Sequence, residues 1–366
     1  MAKLICSVCG KTFPTNYKGF TCECGGILDL EFEAEFPIEK IEKRKPNMWR
    51  YLEAIPIADN RHLITFDEGF TPLLPIDFSG KTVFVKQDHL FQTGSYKDRG
   101  AAVLLNHAKE IGITKVVEDS SGNAGCAIAA YCAKASIKCD IFVPFETSPA
   151  KIAQIKAYGA EIHEVKFTRE DTANAALNMA KETYYASHVY NPYFFHGVKT
   201  FSYEVTEQLG WKAPDTIVIP VGNGTLLLGA YIGFQDLRKA EIIEKMPKIV
   251  AVQAQNCAPL AKNFEGVSSS KIIFRKTIAE GIAIANPARK AQIMKAVSDT
   301  EGRFLTVSEK EIKDAIKEMA MQGYYIEPTS AATVAGLKKY VRNAQKREKI
   351  VSVFTGHGLK SANLSF

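Results

Sequence analysis

The sequence predicts an α/β fold with doubly wound parallel sheets, and three observations carry that expectation. Short β-branched runs alternate with amphipathic helical segments along most of the chain. The runs are apolar almost throughout rather than at alternate positions, as in strands covered on both faces. Polar, glycine-rich turns follow several of them, where such folds lead a strand into a helix. With 366 residues, 46% of them hydrophobic and 23% charged, the chain is long enough for two main units and a sizeable core.

In chain order, a cysteine-rich start is followed by a linker-like stretch containing Pro46, Pro56, Pro72 and Pro75. The regular pattern then begins. KTVFVKQ (81–87) reads as a strand, SYKDRGAAVLLNHAKEIG as a helix, KVVEDS (115–120) as a strand and NAGCAIAAYCAKA (123–135) as a helix of small residues. CDIFVP gives another strand. In the helix after it, Ser148 suits the N-cap and Pro149 the first helical position. The alternation continues through EIHEV, a helix from about 169, DTIVIPV (215–221), a helix from 225, KIVAVQA (248–254) and KIVSVFTG (349–356). Ser308 and Glu311 form a capping-box signature before an amphipathic run.

The formal charge of +6 is spread along the chain with only short basic runs, which does not make a nucleic-acid-binding stripe. Apolar runs stay short of a membrane span and the first residues lack a signal-peptide core, so a cytoplasmic location with reduced thiols is expected. Four of the eight cysteines crowd together as Cys6-x2-Cys9 and Cys22-x-Cys24. Two such pairs can supply four sulfur ligands to a structural zinc. The second pair is one residue shorter than the usual knuckle, and a metal-free ribbon of reduced thiols is an equal alternative. Cys126, Cys132, Cys139 and Cys257 stand among apolar residues and read as core thiols.

Three polar turns follow strands: DSSGNAG (119–125), PVGNGTLLLG (220–229) and TGHG (355–358). Gly222 and Gly224 free the backbone amides to point at an anion, and the helix from Thr225 adds its positive end. A P-loop, a dinucleotide-binding fingerprint and the H-E-x-x-H metal motif are all absent from the sequence.

Taken in order, GSYKDRG, SSGNAG, PVGNGT, EPTSAATVAGLKK and TGHGLK resemble the motifs of fold-type II pyridoxal-phosphate-dependent enzymes. CECGGILDLEF, EGFTPLLP (68–75) and VFTGHGLK are similar to the threonine synthase branch. The resemblance implies pyridoxal phosphate as cofactor and a tryptophan synthase β-like fold of two doubly wound domains with a small cysteine-rich ribbon. It divides the chain into a ribbon at 1–35, a larger cofactor-binding domain at 36–104 and 191–366, and a smaller mobile domain at 105–190. It also implies a homodimer and a small amino-acid substrate, with no nucleic acid or membrane partner.

By the same resemblance Lys97 is the amine that forms the Schiff base with the cofactor and then shuttles protons, whereas Asp98 and Arg99 are structural. Gly222, Asn223, Gly224 and Thr225 cradle the cofactor phosphate, and Asn123 lies beside the phenolic oxygen of the ring. Ser120, Ser121 and Gly122 hold the substrate carboxylate. Thr355 places a neutral hydroxyl against the pyridine nitrogen, which favours elimination and replacement over transamination. Glu327 is either a group of the active-site wall or a first-turn charge before Pro328. His357 reads as a solvated loop residue.

The pattern also departs from that branch. The family places an arginine fork for a substrate phosphate in a segment like S-x-N-P-x-R. Here HVYNPYFFHGVKT (188–200) keeps Asn191, Pro192, Gly197, Lys199 and Thr200, but has Val189 for the serine and Phe194 for the arginine. Ala124 and Thr225 replace further polar residues. His188, His196 and Lys199 are the nearby groups that could stand in. SSGNAG and TIAEGIAIANPARK (277–290) are similar instead to dehydratases. The expected activity is α-proton abstraction followed by β/γ-elimination or replacement. O-phosphohomoserine conversion to threonine is the nearest named activity, and a serine/threonine dehydratase-like or diaminopropionate ammonia-lyase-like reaction is the alternative. A catalytically silent, cofactor-loaded binding protein is the reading from another class, and an intact Lys97 argues against it.

Overall fold

The computed structural model describes residues 2–58, 60–78, 80–145, 148–166 and 169–361. The chain forms two compact units, Met1–Gly69 with Lys97–Thr200, and Phe70–Tyr96 with Phe201–Phe366.

The first unit holds four parallel strands in the order Glu161–Val165, Lys138–Pro144, Lys115–Glu118, Tyr184–Tyr185. Val116 and Val117 are neighbours that face opposite ways, and both are fully buried, as strands covered on two faces require. The helix Asn123–Ala135, rich in alanine, packs on this sheet and buries ten of its residues. At the start of the chain a separate antiparallel ribbon has the order Thr12–Phe13, Lys3–Cys6, Leu28–Glu31.

The helices Lys97–Glu110 and Pro192–Val198 meet through glycine. A Cβ on Gly100 would sit 2.2 Å from the Phe194 ring, and one on Gly197 would sit 2.1 Å from the Arg99 carbonyl oxygen. This close packing joins 97–104 and 191–200 to the first unit, together with 36–69. The division by motif put all three stretches in the larger domain.

The second unit is built on six strands in the order Arg303–Val307, Lys248–Ala254, Thr216–Pro220, Ile350–Val353, Lys81–Lys86, Leu73–Phe78. All neighbours are parallel except the last pair. Leu73–Phe78 corrects the linker reading of this stretch, since Pro75 lies within a strand. It is an edge strand, where a missing N–H is tolerated. Helix Glu309–Met321 buries Ile312, Ala315, Ile316 and Met319, one face at helical spacing, and begins with the expected capping box of Ser308 and Glu311. Ser148 departs from expectation: Pro149 starts its helix, but the serine hydroxyl makes no cap bond.

One ion pair is wholly enclosed in this unit. Lys86 Nζ lies 2.8 Å from Glu204 Oε2 with both side chains fully buried, and also donates to the Thr71 carbonyl at 2.6 Å and Gln208 Oε1 at 2.7 Å. Among the described residues no helix is long and apolar enough to cross a membrane.

Candidate active site

The first unit carries the lysine and the serine loop. Lys97 opens the helix Lys97–Glu110, and its Nζ lies 5.5 Å from the centre of the buried Phe194 ring. Asp98 and Arg99 are fully buried, and Arg99 Nη1 donates to Thr200 Oγ1 at 3.0 Å. Ser120, Ser121 and Gly122 join strand Lys115–Glu118 to helix Asn123–Ala135. The Gly122 amide donates to Ser120 Oγ at 3.2 Å, and Gly122 at the N-cap supplies no side-chain cap. A Cβ on Gly125 would come within 2.0 Å of the Ser120 carbonyl oxygen. Gly125→Ala should therefore push the serine loop off the helix and cost about 1–3 kcal/mol of stability by overpacking, measured as a lower urea midpoint and weaker amino-acid binding.

Glu118 and His188 are functional candidates that sequence reasoning missed as a pair. Glu118 is fully buried at the last strand position, and His188 Nδ1 lies 2.6 Å from its Oε1. Burial pushes the Glu118 carboxyl well above the usual carboxylate range. Asp119 adds to that rise, and the charge of Lys97 opposes it. The two residues lie 70 apart in sequence, and no local motif links them.

The second unit carries the glycine turn and the threonine. Gly222, Asn223 and Gly224 lead from strand Thr216–Pro220 into helix Thr225–Lys239. Gly224 takes φ 81°, which favours glycine, and caps the helix without a side chain. Gly222 leaves no room for a Cβ, which would lie 2.9 Å from Ile282 Cα. Ser95 Oγ and Thr225 Oγ1 are buried and make no hydrogen bond of ordinary length among the described residues. Lost solvation raises the Tyr96 phenol pKa, Glu327 adds to the effect, and Thr225 and the Leu226 amide oppose it, so this hydroxyl stays neutral.

Thr355 is fully buried. Its Oγ1 donates to Glu327 Oε1 at 3.0 Å and lies 2.9 Å from Ser330 Oγ, which accepts from the Thr355 amide at 2.8 Å. Glu327 precedes Pro328 at the helix start, and its own amide donates to the Gly356 carbonyl at 3.0 Å. Glu327 is thus the N-cap residue rather than a first-turn charge, and it accepts from Thr355. Ser330 was the partner missed. His357 is half-buried and accepts from the Leu359 amide, rather than being freely solvated.

The four N-terminal cysteines come together in the ribbon. Cys6 Sγ is 3.5 Å from Cys24 Sγ, Cys9 Sγ is 3.6 Å from Cys22 Sγ, and all four sulfurs lie within 4.8 Å of one another. The amides of Val8 and Cys9 point at Cys6 Sγ. Cys126, Cys132, Cys139 and Cys257 are buried and in no disulfide.

These elements have a counterpart among known proteins. Residues 64–356 match the family described as pyridoxal-phosphate dependent enzyme. The chain belongs to this family. The pyridoxal-phosphate enzyme is 34% identical to the threonine synthase of Methanocaldococcus jannaschii, over 97% of its own length and 92% of that protein. The threonine synthase of Methanosarcina acetivorans is 32% identical over 98% and 92%. Among solved structures, a serine racemase from Dictyostelium discoideum superposes with TM-score 0.66 and 27% identity, covering 81% of this chain and 93% of that one. Threonine deaminase isoform 2 from Solanum lycopersicum gives TM-score 0.66 at 22% identity over 81% and 80%. The fold is thus that of the fold-type II enzymes, and the family makes the protein a pyridoxal-phosphate-dependent lyase that resembles the threonine synthase branch. The residues present fit the cofactor. A lysine opens one helix, and a 15-residue helix starts at a glycine cap with the buried hydroxyl of Thr225 as its first residue.

Proposed function

We propose that this enzyme removes the α-proton of a small amino acid and then eliminates or replaces an unphosphorylated group on its side chain. The observation that carries this reading is Phe194, fully buried against Gly100 at the position where the branch places its phosphate-binding arginine. The three nearby cationic candidates have other partners. Lys199 Nζ is buried 5.0 Å from the centre of the Phe32 ring. His196 Nε2 faces the Leu30 carbonyl at 3.1 Å, and burial, then the Lys199 charge, holds its pKa well below the usual histidine value. His188 Nδ1 is paired with Glu118. A phosphorylated side chain placed among these groups would lack its donor fork.

In this reading the Lys97 amine would hold the cofactor and take the α-proton of the bound amino acid. Pyridoxal phosphate, when bound, supplies the electron sink for the carbanion at Cα. The amides of Gly222, Asn223, Gly224 and Thr225 would receive its phosphate, with Thr225 Oγ1 as a further donor. Asn123 would meet the phenolic oxygen of the ring. Ser120, Ser121 and Gly122 would bind the substrate carboxylate at the start of helix Asn123–Ala135. Thr355 would face the ring nitrogen.

A second reading, conversion of O-phosphohomoserine to threonine, is favoured by the 34% identity to a threonine synthase over 97% of the chain. The two part in a titration of the cofactor-loaded enzyme with O-phosphohomoserine, homoserine, serine, threonine and diaminopropionate, followed by product analysis. The expected result is an absorbance change and release of a keto acid and ammonia, or a replacement product, from an unphosphorylated member. Threonine and phosphate formed from O-phosphohomoserine alone would establish the second reading.

We further propose that Cys6, Cys9, Cys22 and Cys24 hold one structural zinc ion. Four thiolates about 2.3 Å from a tetrahedral zinc lie about 3.8 Å from one another. The two closest pairs here are 3.5 and 3.6 Å apart. The short step from Cys22 to Cys24 is accommodated because each of the two faces a cysteine of the first pair.

A further inference from the structure

Resting on the zinc reading, we infer that the metal ribbon is a positioning element for the loop beginning at Asp119. The three short strands bury Leu4, Cys6, Phe13, Leu28 and Leu30, a small core that a cross-link at the four cysteines would reinforce. A tetrathiolate metal supplies that link in a reducing compartment. The metal then fixes the turn just before Cys22. Within this turn Tyr17 stacks on Phe13 at 4.5 Å, and its hydroxyl donates to the Thr21 carbonyl at 3.3 Å. A Cβ on Gly19 would lie 2.4 Å from Tyr17 Oη, so the turn is tight.

Phe20 is the outward product of that turn. Its ring meets Tyr185 edge-on at 5.2 Å and Tyr190 at 5.8 Å. A cleft beneath the ribbon is lined by Tyr17, Phe20, Tyr184, Tyr185 and Tyr190. Tyr185 lies 2% exposed in the strand pairing with Val116 and Val117, and its hydroxyl donates to Asp119 Oδ1 at 2.7 Å. Asp119 directly precedes Ser120. A continuous series of contacts thus runs from the four sulfurs through Phe20 and Tyr185 to the serine loop. Its ligand is a divalent zinc ion, and its effect is to hold the loop in its binding conformation.

The test uses the full-length, cofactor-loaded enzyme. Plasma mass spectrometry should find one zinc per chain. Amide hydrogen exchange of a peptide spanning 119–123 should then accelerate about tenfold, the effect of losing one net hydrogen bond, in the zinc-stripped protein, in Phe20→Ala and in Tyr185→Phe. Phe20→Ala should keep its zinc, Phe20→Tyr should restore slow exchange, and helix Pro328–Val341 should be unaffected throughout. Stoichiometric zinc with unchanged 119–123 exchange in Phe20→Ala and Tyr185→Phe would overturn the positioning role and leave the metal reading standing. A natively folded protein with no zinc and four freely titrating thiols would overturn the metal reading and the inference with it.

Discussion

Lys97→Ala is expected to lose covalent attachment of the cofactor and turnover together. After borohydride reduction the unaltered protein should carry the added mass of the phosphopyridoxyl group on the peptide containing Lys97, and the variant should not. Turnover should fall about 10²–10⁴-fold, the usual contribution of a positioned proton-transfer group. Folding should change little. The Lys97 side chain is half-buried, and its contact with the Phe194 ring is worth about 0.5–1 kcal/mol at such a site. The two readouts therefore separate chemistry from stability, and a variant with normal turnover would remove Lys97 from the mechanism.

The largest effect on stability is expected at Lys86 and Glu204. Glu204→Leu would remove the carboxylate that lies 2.8 Å from the enclosed Lys86 ammonium. Its contacts to the Thr71 carbonyl and Gln208 would satisfy hydrogens but not balance the charge. Breaking such a pair costs about 3–5 kcal/mol, whereas replacing both members with apolar side chains is often close to neutral. Urea unfolding should show a large drop in midpoint for Glu204→Leu and a much smaller one for Lys86→Met combined with Glu204→Leu. Equal drops in the two variants would mean that shape, rather than charge, sets the cost.

What could be read from the chain beforehand follows the range of the interaction. The apolar runs at 115–118, 216–220 and 248–254 are local signals, and each became a parallel strand. The Ser308–Glu311 capping box is likewise contained in four residues and formed as expected. Pro75 misled, because a proline argues against a central strand but not an edge strand. Only the observed pairing shows which it is. The unit boundary depends on Gly100 meeting Phe194, and the surroundings of Thr355 on Glu327 and Ser330, which lie 28 and 25 residues away. The four ribbon cysteines could be picked out by type and spacing. The path from Phe20 through Tyr185 to Asp119 has no such signature and exists only once the chain has folded.

The strand order of the second unit also sets a timetable. Lys81–Lys86 has Leu73–Phe78 on one side from the start, but its other neighbour is Ile350–Val353. At roughly 5–20 residues per second, a ribosome delivers that neighbour on the order of ten to fifty seconds later. Throughout the interval a two-stranded hairpin, marginal on its own, displays Ile76, Phe78, Val83 and Val85 without the rest of their core. Truncation before residue 350 is therefore expected to leave one side of strand Lys81–Lys86 unpaired and to raise aggregation, measured by light scattering.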